Sequence, residues 1–372
     1  MSATFGRPPL WQRLRPYISG FDAPLLAGLL WLVAIGCIVL FSALQDAHVP
    51  FGDHLRNLAI GFLVLFVTAQ VPPQRLMQLA VPVYTFGMAL LIATAAFGLV
   101  RKGARRWLDL GVTVVQPSEV MKIAVPLMLA WYFQKREGQI RVKDFAIAAV
   151  ILLLPVGLIA KQPDLGTALL VLFTGAFVIF FAGLSWRVIA LLLALAAAGA
   201  PVLWHFMHDY QRQRLMMLLD PQSDPLGKGF NIIQSMIAIG SGGVFGQGYL
   251  HGTQAHLNFV PESHTDFVFS VLAEEWGLAG NLVLLAAYTF FILRGLMIAS
   301  NAPTLFSRLL AASITLIFFI YAFVNMGMVS GILPVVGVPL PFVSYGGTAL
   351  ITLMLGAGML FSIAKSKRLV QS

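Results

Sequence analysis

Apolar runs of roughly 17–30 residues recur along this chain, each long enough to cross a hydrocarbon core as a helix. They fall near residues 23–45, 55–71, 77–99, 116–134, 144–160, 164–183, 186–206, 266–296, 307–331 and 344–366. No other feature limits the fold so strongly. Inside lipid a backbone must satisfy its own hydrogen bonds, and a helix does so within one segment. Composition agrees, with 59% hydrophobic and 10% charged residues, against roughly a quarter charged in soluble domains. The expected fold is all-α: a polytopic integral membrane protein with about ten transmembrane helices, forming one membrane domain over residues 1–372. The least marked boundary is Gly183–Leu184–Ser185, between the sixth and seventh runs.

Basic residues orient these spans. The formal charge of +9 points first to cytoplasmic loops rich in Lys and Arg, and no nucleic-acid partner is expected. With the N-terminus inside, the inner segments carry the larger share of Lys and Arg. Residues 1–22 and 367–372 are then cytoplasmic tails. The first run is followed by the polar Gln45–Asp46–Ala47–His48 rather than a small-residue cleavage site, so it is expected to stay attached as a span. The lone Cys37 has no partner for an internal disulfide.

In this orientation residues 207–265 form one large extracytoplasmic loop. It carries Arg212, Arg214 and Lys228, a glycine run from Gly240 to Gly248, and the close Glu262–Ser263–His264–Thr265–Asp266. The glycine run matches no phosphate-binding loop and is expected to be a flexible segment over a cavity. A shorter outer loop breaks the positive-inside rule with Arg101, Lys102, Arg105 and Arg106. Either the topology tolerates them, or they form a cation patch for an anionic ligand such as a lipid phosphate.

Charges within or beside spans are functional candidates. Glu119 and Lys122 stand three residues apart on one helical face, where they either neutralise each other or line a polar cavity. Asp164, three residues after Lys161, is placed to cap the sixth helix. Asp266 opens the eighth, where Thr265 and Ser263 offer further caps, more than a cap requires. Glu274 and Glu275, two turns deeper, read as a structural network. His256 and His264 lack zinc-ligand spacing.

Between the last two spans runs Asn325 to Ala349, with Gly331, Pro334, Gly337, Pro339 and Pro341, then Ser344–Tyr345–Gly346–Gly347–Thr348. Its prolines and glycines preclude a regular helix, so a re-entrant or packed outer segment is expected, with Ser344 capping the last helix. This pattern resembles the signature of the SEDS family (shape, elongation, division and sporulation). Arg105–Arg106–Trp107–Leu108, Gln116–Pro117–Ser118–Glu119, Lys161 to Thr167, Gly229 to Ser235 and His264–Thr265–Asp266–Phe267 extend the resemblance over essentially the whole chain. The short N-terminal tail resembles the elongation branch (RodA type) rather than the division branch (FtsW type).

The resemblance implies a peptidoglycan glycosyltransferase that polymerises lipid II on the outer face of the cytoplasmic (inner) membrane during elongation. It implies a class B penicillin-binding protein, a PBP2-like transpeptidase, as partner within the elongation machinery. The residue matching Asp266 is the family's proposed catalytic carboxylate, and those matching Glu119 and Lys122 matter in the same cavity. Contacts to lipid II and to the undecaprenyl-pyrophosphate glycan are then expected from Glu119, Lys122, Arg101, Lys102, Arg105, Arg106, Lys161, Asp164, Arg212, Arg214 and Ser344. No cofactor is required by the sequence, because the donor is already activated. A divalent cation, Mg or Mn, could assist, with ligands unknown. Two other readings fit the same spans: a lipid II flippase, although the halves show no internal repeat, and a non-catalytic scaffold for the transpeptidase.

Overall fold

The computed structural model describes residues 20–45, 50–101, 104–109, 114–206, 212–213, 216–218, 220, 222, 224, 229–253 and 262–371. The N-terminal tail with Arg7, Arg13 and Arg15, and Lys102, Arg214, Lys228 and His256, lie outside them. Ten helices coincide with the ten apolar runs. They are α1 (Ala23–Ala43), α2 (Phe51–Gln70), α3 (Pro73–Phe97), α4 (Pro117–Lys135), α5 (Val142–Lys161), α6 (Leu165–Phe181) and α7 (Trp186–Phe206) in the first half. After a shorter helix, α8 (Phe230–Ser241), come α9 (Val268–Ser300), α10 (Leu305–Val329) and α11 (Thr348–Gln371). Among the described residues, seven of them (α1, α2, α3, α5, α9, α10 and α11) are long and apolar enough to cross a membrane. The protein is thus a polytopic helical membrane protein. Local chemistry starts the helices. Asp22 accepts from Leu25 N at 3.0 Å before α1, Asp164 from Thr167 N at 3.2 Å before α6, and Thr304 from Ser307 N at 3.2 Å before α10.

One expectation needs correction here. The chain is not purely helical: β1 (Leu99–Arg101), β2 (Ala104–Asp109) and β3 (Val114–Val115) form an antiparallel three-stranded sheet in order β1-β2-β3. Its strands carry the cation-rich stretch between α3 and α4. Between α7 and α9, α8 packs its apolar face on α9 and α10.

The bundle is layered around α4, whose residues from Pro117 to Phe133 are mostly buried. At the other extreme, none of the described side chains of α7 is buried, and Trp186 is 72% exposed. Leu191, Leu192, Leu193 and Leu195 are exposed as well. Such apolar exposure suits lipid as the surrounding solvent. Gly183, with φ of +105°, makes the turn between α6 and α7 at the expected boundary.

Helix α9 is broken at Gly277 (φ 61°, ψ −156°). Across the break, the usual partners of Glu274 O and Glu275 O would be Leu278 N and Ala279 N. The glycine run supplies all four replacements. Gln247 N donates to Glu274 O at 2.9 Å and Gly248 N to Glu275 O at 3.1 Å. Leu278 N and Ala279 N donate to Gly243 O and Val244 O, each at 3.0 Å. A β-carbon at Gly246 would sit 2.1 Å from Glu275 O, and one at Gly242 2.0 Å from Ala273 O. The run is therefore a close-packed splice in a discontinuous helix and not the flexible cover expected. Beneath it, Ser42 of α1 donates to Glu275, and Thr253 to Glu274 at 3.1 Å.

The proline- and glycine-rich segment after α10 is irregular, as its composition requires, and buried from Leu340 to Ser344. Gly331, at φ of +72°, ends α10, with Ile332 N returning to Gly327 O at 2.8 Å. Gly36 on α1 lets the segment's backbone approach, since a β-carbon there would lie 2.5 Å from Phe342 O. Tyr288 of α9 ties it further by donating to Pro341 O at 2.5 Å.

Candidate active site

Asp266 does not open a helix. It sits in a turn over residues 262–267, one residue before the cap of α9. The turn begins at Glu262, at φ of +59°, where Glu262 O accepts from Thr265 N at 3.0 Å and from Phe267 N at 3.3 Å. Left-handed backbone at a non-glycine residue is sparsely populated and persists where its surroundings hold it. Here the signature segment does so. Tyr345 N donates to His264 O at 2.8 Å. Asn325 Nδ2, on the last turns of α10, donates to Asp266 O at 2.8 Å and to Val338 O at 2.7 Å. Gly337, at φ of +72°, brings bare backbone against the carboxylate: a β-carbon there would lie 3.2 Å from Asp266 Oδ2. Asp266 itself is half-buried.

A row of rings leads from α2 to this turn. His54, fully buried, has its ring centroid 6.0 Å from that of Tyr345, which in turn lies 5.9 Å from that of His264. Burial holds the His264 imidazole below its ordinary range, with the Glu262 charge pulling the other way.

A second polar cluster joins α4, α6 and α10. Lys122 Nζ meets Glu119 Oε1 at 2.5 Å and also donates to the Tyr321 hydroxyl. Both partners of the ion pair are buried, and Glu119 Oε2 has no hydrogen-bond partner among the described residues. Tyr321 lies one turn before Asn325 on α10, so one helix reaches both clusters. Asp164, capping α6, also accepts from Gln116 Nε2 at 3.1 Å. Arg106 on β2 stands 4.0 Å from Asp164 and donates to Pro163 O. The two halves meet where Gly166 packs on the signature segment. A β-carbon at Gly166 would lie 2.7 Å from Val336 O, one residue before Gly337.

Glu119, Lys122 and Tyr321 thus form one cluster and Gln116, Asp164 and Arg106 another, while Asp266 is held separately through Asn325 on α10. Other candidates are placed differently. Arg105 is exposed on β2, and Lys161 is exposed at the last residue of α5. Arg212 donates to Trp204 O at 3.0 Å and to His205 O at 2.7 Å, near the end of α7. Arg101 lies on β1, opposite Ala104. Ser344 does not cap α11, which begins four residues later. Its Oγ accepts from Leu340 N at 2.7 Å and closes a buried turn instead. Among the described residues no three His, Cys, Asp or Glu side chains converge as metal ligands.

Sequence reasoning gave no role to Tyr321, His54 or Gln116. A tyrosine or histidine in an apolar run reads as packing. Gln116 is quoted in the resemblance, yet only its contact to Asp164 says why an amide stands there.

Comparisons with known proteins agree over nearly the full length. Residues 22–369 match the family model FtsW/RodA/SpoVE, described as cell cycle protein. The chain is 52% identical over 350 residues to the peptidoglycan glycosyltransferase MrdB of Escherichia coli K12, covering 94% of this chain and 95% of that one. Among solved structures, a chain from a study of the structural coordination of polymerization and crosslinking by a peptidoglycan synthase complex superposes with a TM-score of 0.80. It is 36% identical, over 93% of this chain and 98% of that one. The crystal structure of the rod shape determining protein RodA of Thermus thermophilus superposes with a TM-score of 0.71. It is 32% identical, over 93% of this chain and 97% of that one.

Proposed function

Because the chain belongs to the FtsW/RodA/SpoVE family, we infer that it is a peptidoglycan glycosyltransferase of the elongation (RodA) type. The observation that carries this reading is 52% identity, over nearly the whole of both chains, to a relative of that name, together with a half-buried carboxylate whose backbone is held by Asn325. In the proposed reaction Asp266 takes the proton from the 4-hydroxyl of the acceptor sugar. The freed oxygen attacks the anomeric carbon of the donor glycan. The bond from that carbon to the lipid pyrophosphate breaks, and the electron pair leaves on the pyrophosphate. Arg106, backed by Asp164, is the proposed cation for the departing charge, and Arg101, Lys102, Arg105, Arg212 and Arg214 are further expected contacts. Glu119, Lys122, Lys161 and Ser344 complete the expected contacts to substrate. No nucleotide or other cofactor enters this scheme, and a divalent cation, Mg or Mn, would serve only to shield the pyrophosphate.

In this reading the chain is one domain of ten spans in the cytoplasmic (inner) membrane. Residues 1–22 and 367–372 face the cytoplasm, and 207–265 lie outside with Asp266. The partner is a class B penicillin-binding protein of the elongation machinery. Support for it comes from the likeness to a chain of a peptidoglycan synthase complex.

The test is polymerisation of lipid II by the purified protein with its partner, with and without EDTA, glycan chains being read on a gel. Asp266→Asn should abolish polymer, a loss of at least about 1,000-fold. Wild-type polymer from that variant would remove Asp266 as the base. Labelled lipid II crossing the bilayer without polymer would replace the polymerase by a flippase.

A further inference from the structure

We propose that Asn325 is a positioning residue for the transfer reaction, fixing Asp266 and the backbone wall beside it through a single carboxamide. The proposal rests on the reading of Asp266 as the base. Asn325 is fully buried on α10. Its Nδ2 commits one N–H to Asp266 O at 2.8 Å and the other to Val338 O at 2.7 Å. These carbonyls belong to two different segments. One carries the carboxylate. The other adjoins Gly337, whose bare backbone faces Asp266 Oδ2. A side chain that only satisfied a loop carbonyl would need one donor. This one bridges the base to its wall, and only a planar amide has two donors on one short stem.

The rest of the amide argues for the same role. Asn325 Oδ1 is buried with no hydrogen-bond partner among the described residues, an arrangement that costs stability. The side chain is therefore not optimised for its own satisfaction, and its donor half sets its orientation. One turn earlier on the same helix, Tyr321 receives Lys122. The spacing from Tyr321 to Asn325 thus sets the base against the buried ion pair. A shift of the Asp266 turn by a fraction of an ångström would leave the fold intact and lower the rate of proton removal.

Asn325→Leu keeps the shape and removes both donors. In the lipid II assay with its partner, the full-length variant is expected to lose about 100-fold in kcat, with KM for lipid II unchanged within about threefold. On an Asp266→Glu background, where the carboxylate is already displaced by one methylene, the same substitution should cost no more than about threefold, because its target is already misplaced. A purely structural asparagine would cost the same factor on both backgrounds, and that result overturns the proposal. So does wild-type turnover by Asn325→Leu, or a loss carried by KM. If Asn325→Leu fails to accumulate, Asn325→Ser is read by the same criteria. Full activity of Asp266→Asn would sink the assignment of the base, whereas an inactive Asp266→Asn beside an unaffected Asn325→Leu sinks only the positioning role.

Discussion

The two halves of the candidate site are held in opposite ways. Around Asp266 the holding contacts run to backbone: Asn325 to two carbonyls, Tyr345 N to His264 O, and Gly337 by close approach. Around Asp164 and Lys122 they run mostly between side chains: Gln116, Arg106, Glu119 and Tyr321. On the proposed reaction, the difference follows from what each half would have to do. A base removes a proton over one hydrogen-bond length, so its place must be set by rigid backbone. Charges that meet a diffuse pyrophosphate act over several ångströms and tolerate longer, more adaptable stems.

Three tests probe this contrast. The largest effect is expected at Lys122. Replacing it by Met leaves Glu119 as an unpaired buried charge, which should destabilise the protein by about 3–5 kcal/mol, seen as a drop in the melting temperature in detergent. Pairing it with Glu119→Gln should recover much of the loss, and failure to recover would show that the two do not act as a pair. Next comes Gly337→Val, which puts a branched side chain where φ is +72° and against Asp266 Oδ2. Activity should fall about 100-fold, and an unaffected rate would break the idea of a backbone-set base. The smallest effect belongs to the cationic side. Arg106→Gln should cost about tenfold in turnover, while Arg105→Gln, exposed, should stay within about threefold and lose its effect as salt rises. Equal losses at both arginines would mean that anchoring on Asp164 is irrelevant.

The spans were legible because the apolar periodicity that lipid imposes is written residue by residue, and boundaries such as Gly183 carry their own turn chemistry. Asp164 was legible as a cap for the same local reason. What escaped were features set by distant backbone. Nothing within residues 240–248 announces that they mend a helix broken thirty residues later (Gly277). Glycine signals freedom of the backbone, and the same absence of a β-carbon serves motion or close approach alike. The strand pairing of residues 99–115 was masked by its charges, which read as loop. Ser344 and Asp266 were each displaced from a helix start, since a serine or aspartate before an apolar run fits a cap whether or not the helix begins there. Tyr321 and His54 have no local signal at all.

The splice across Gly277 also imposes an order on how the molecule is made. The groups that close the break, residues 243–248, leave the ribosome before residues 274–279 do. The chain ahead of α9 must therefore have been delivered to the same side of the bilayer before the two parts of that helix can join. Without those partners, four backbone groups at the break would be left unpaired.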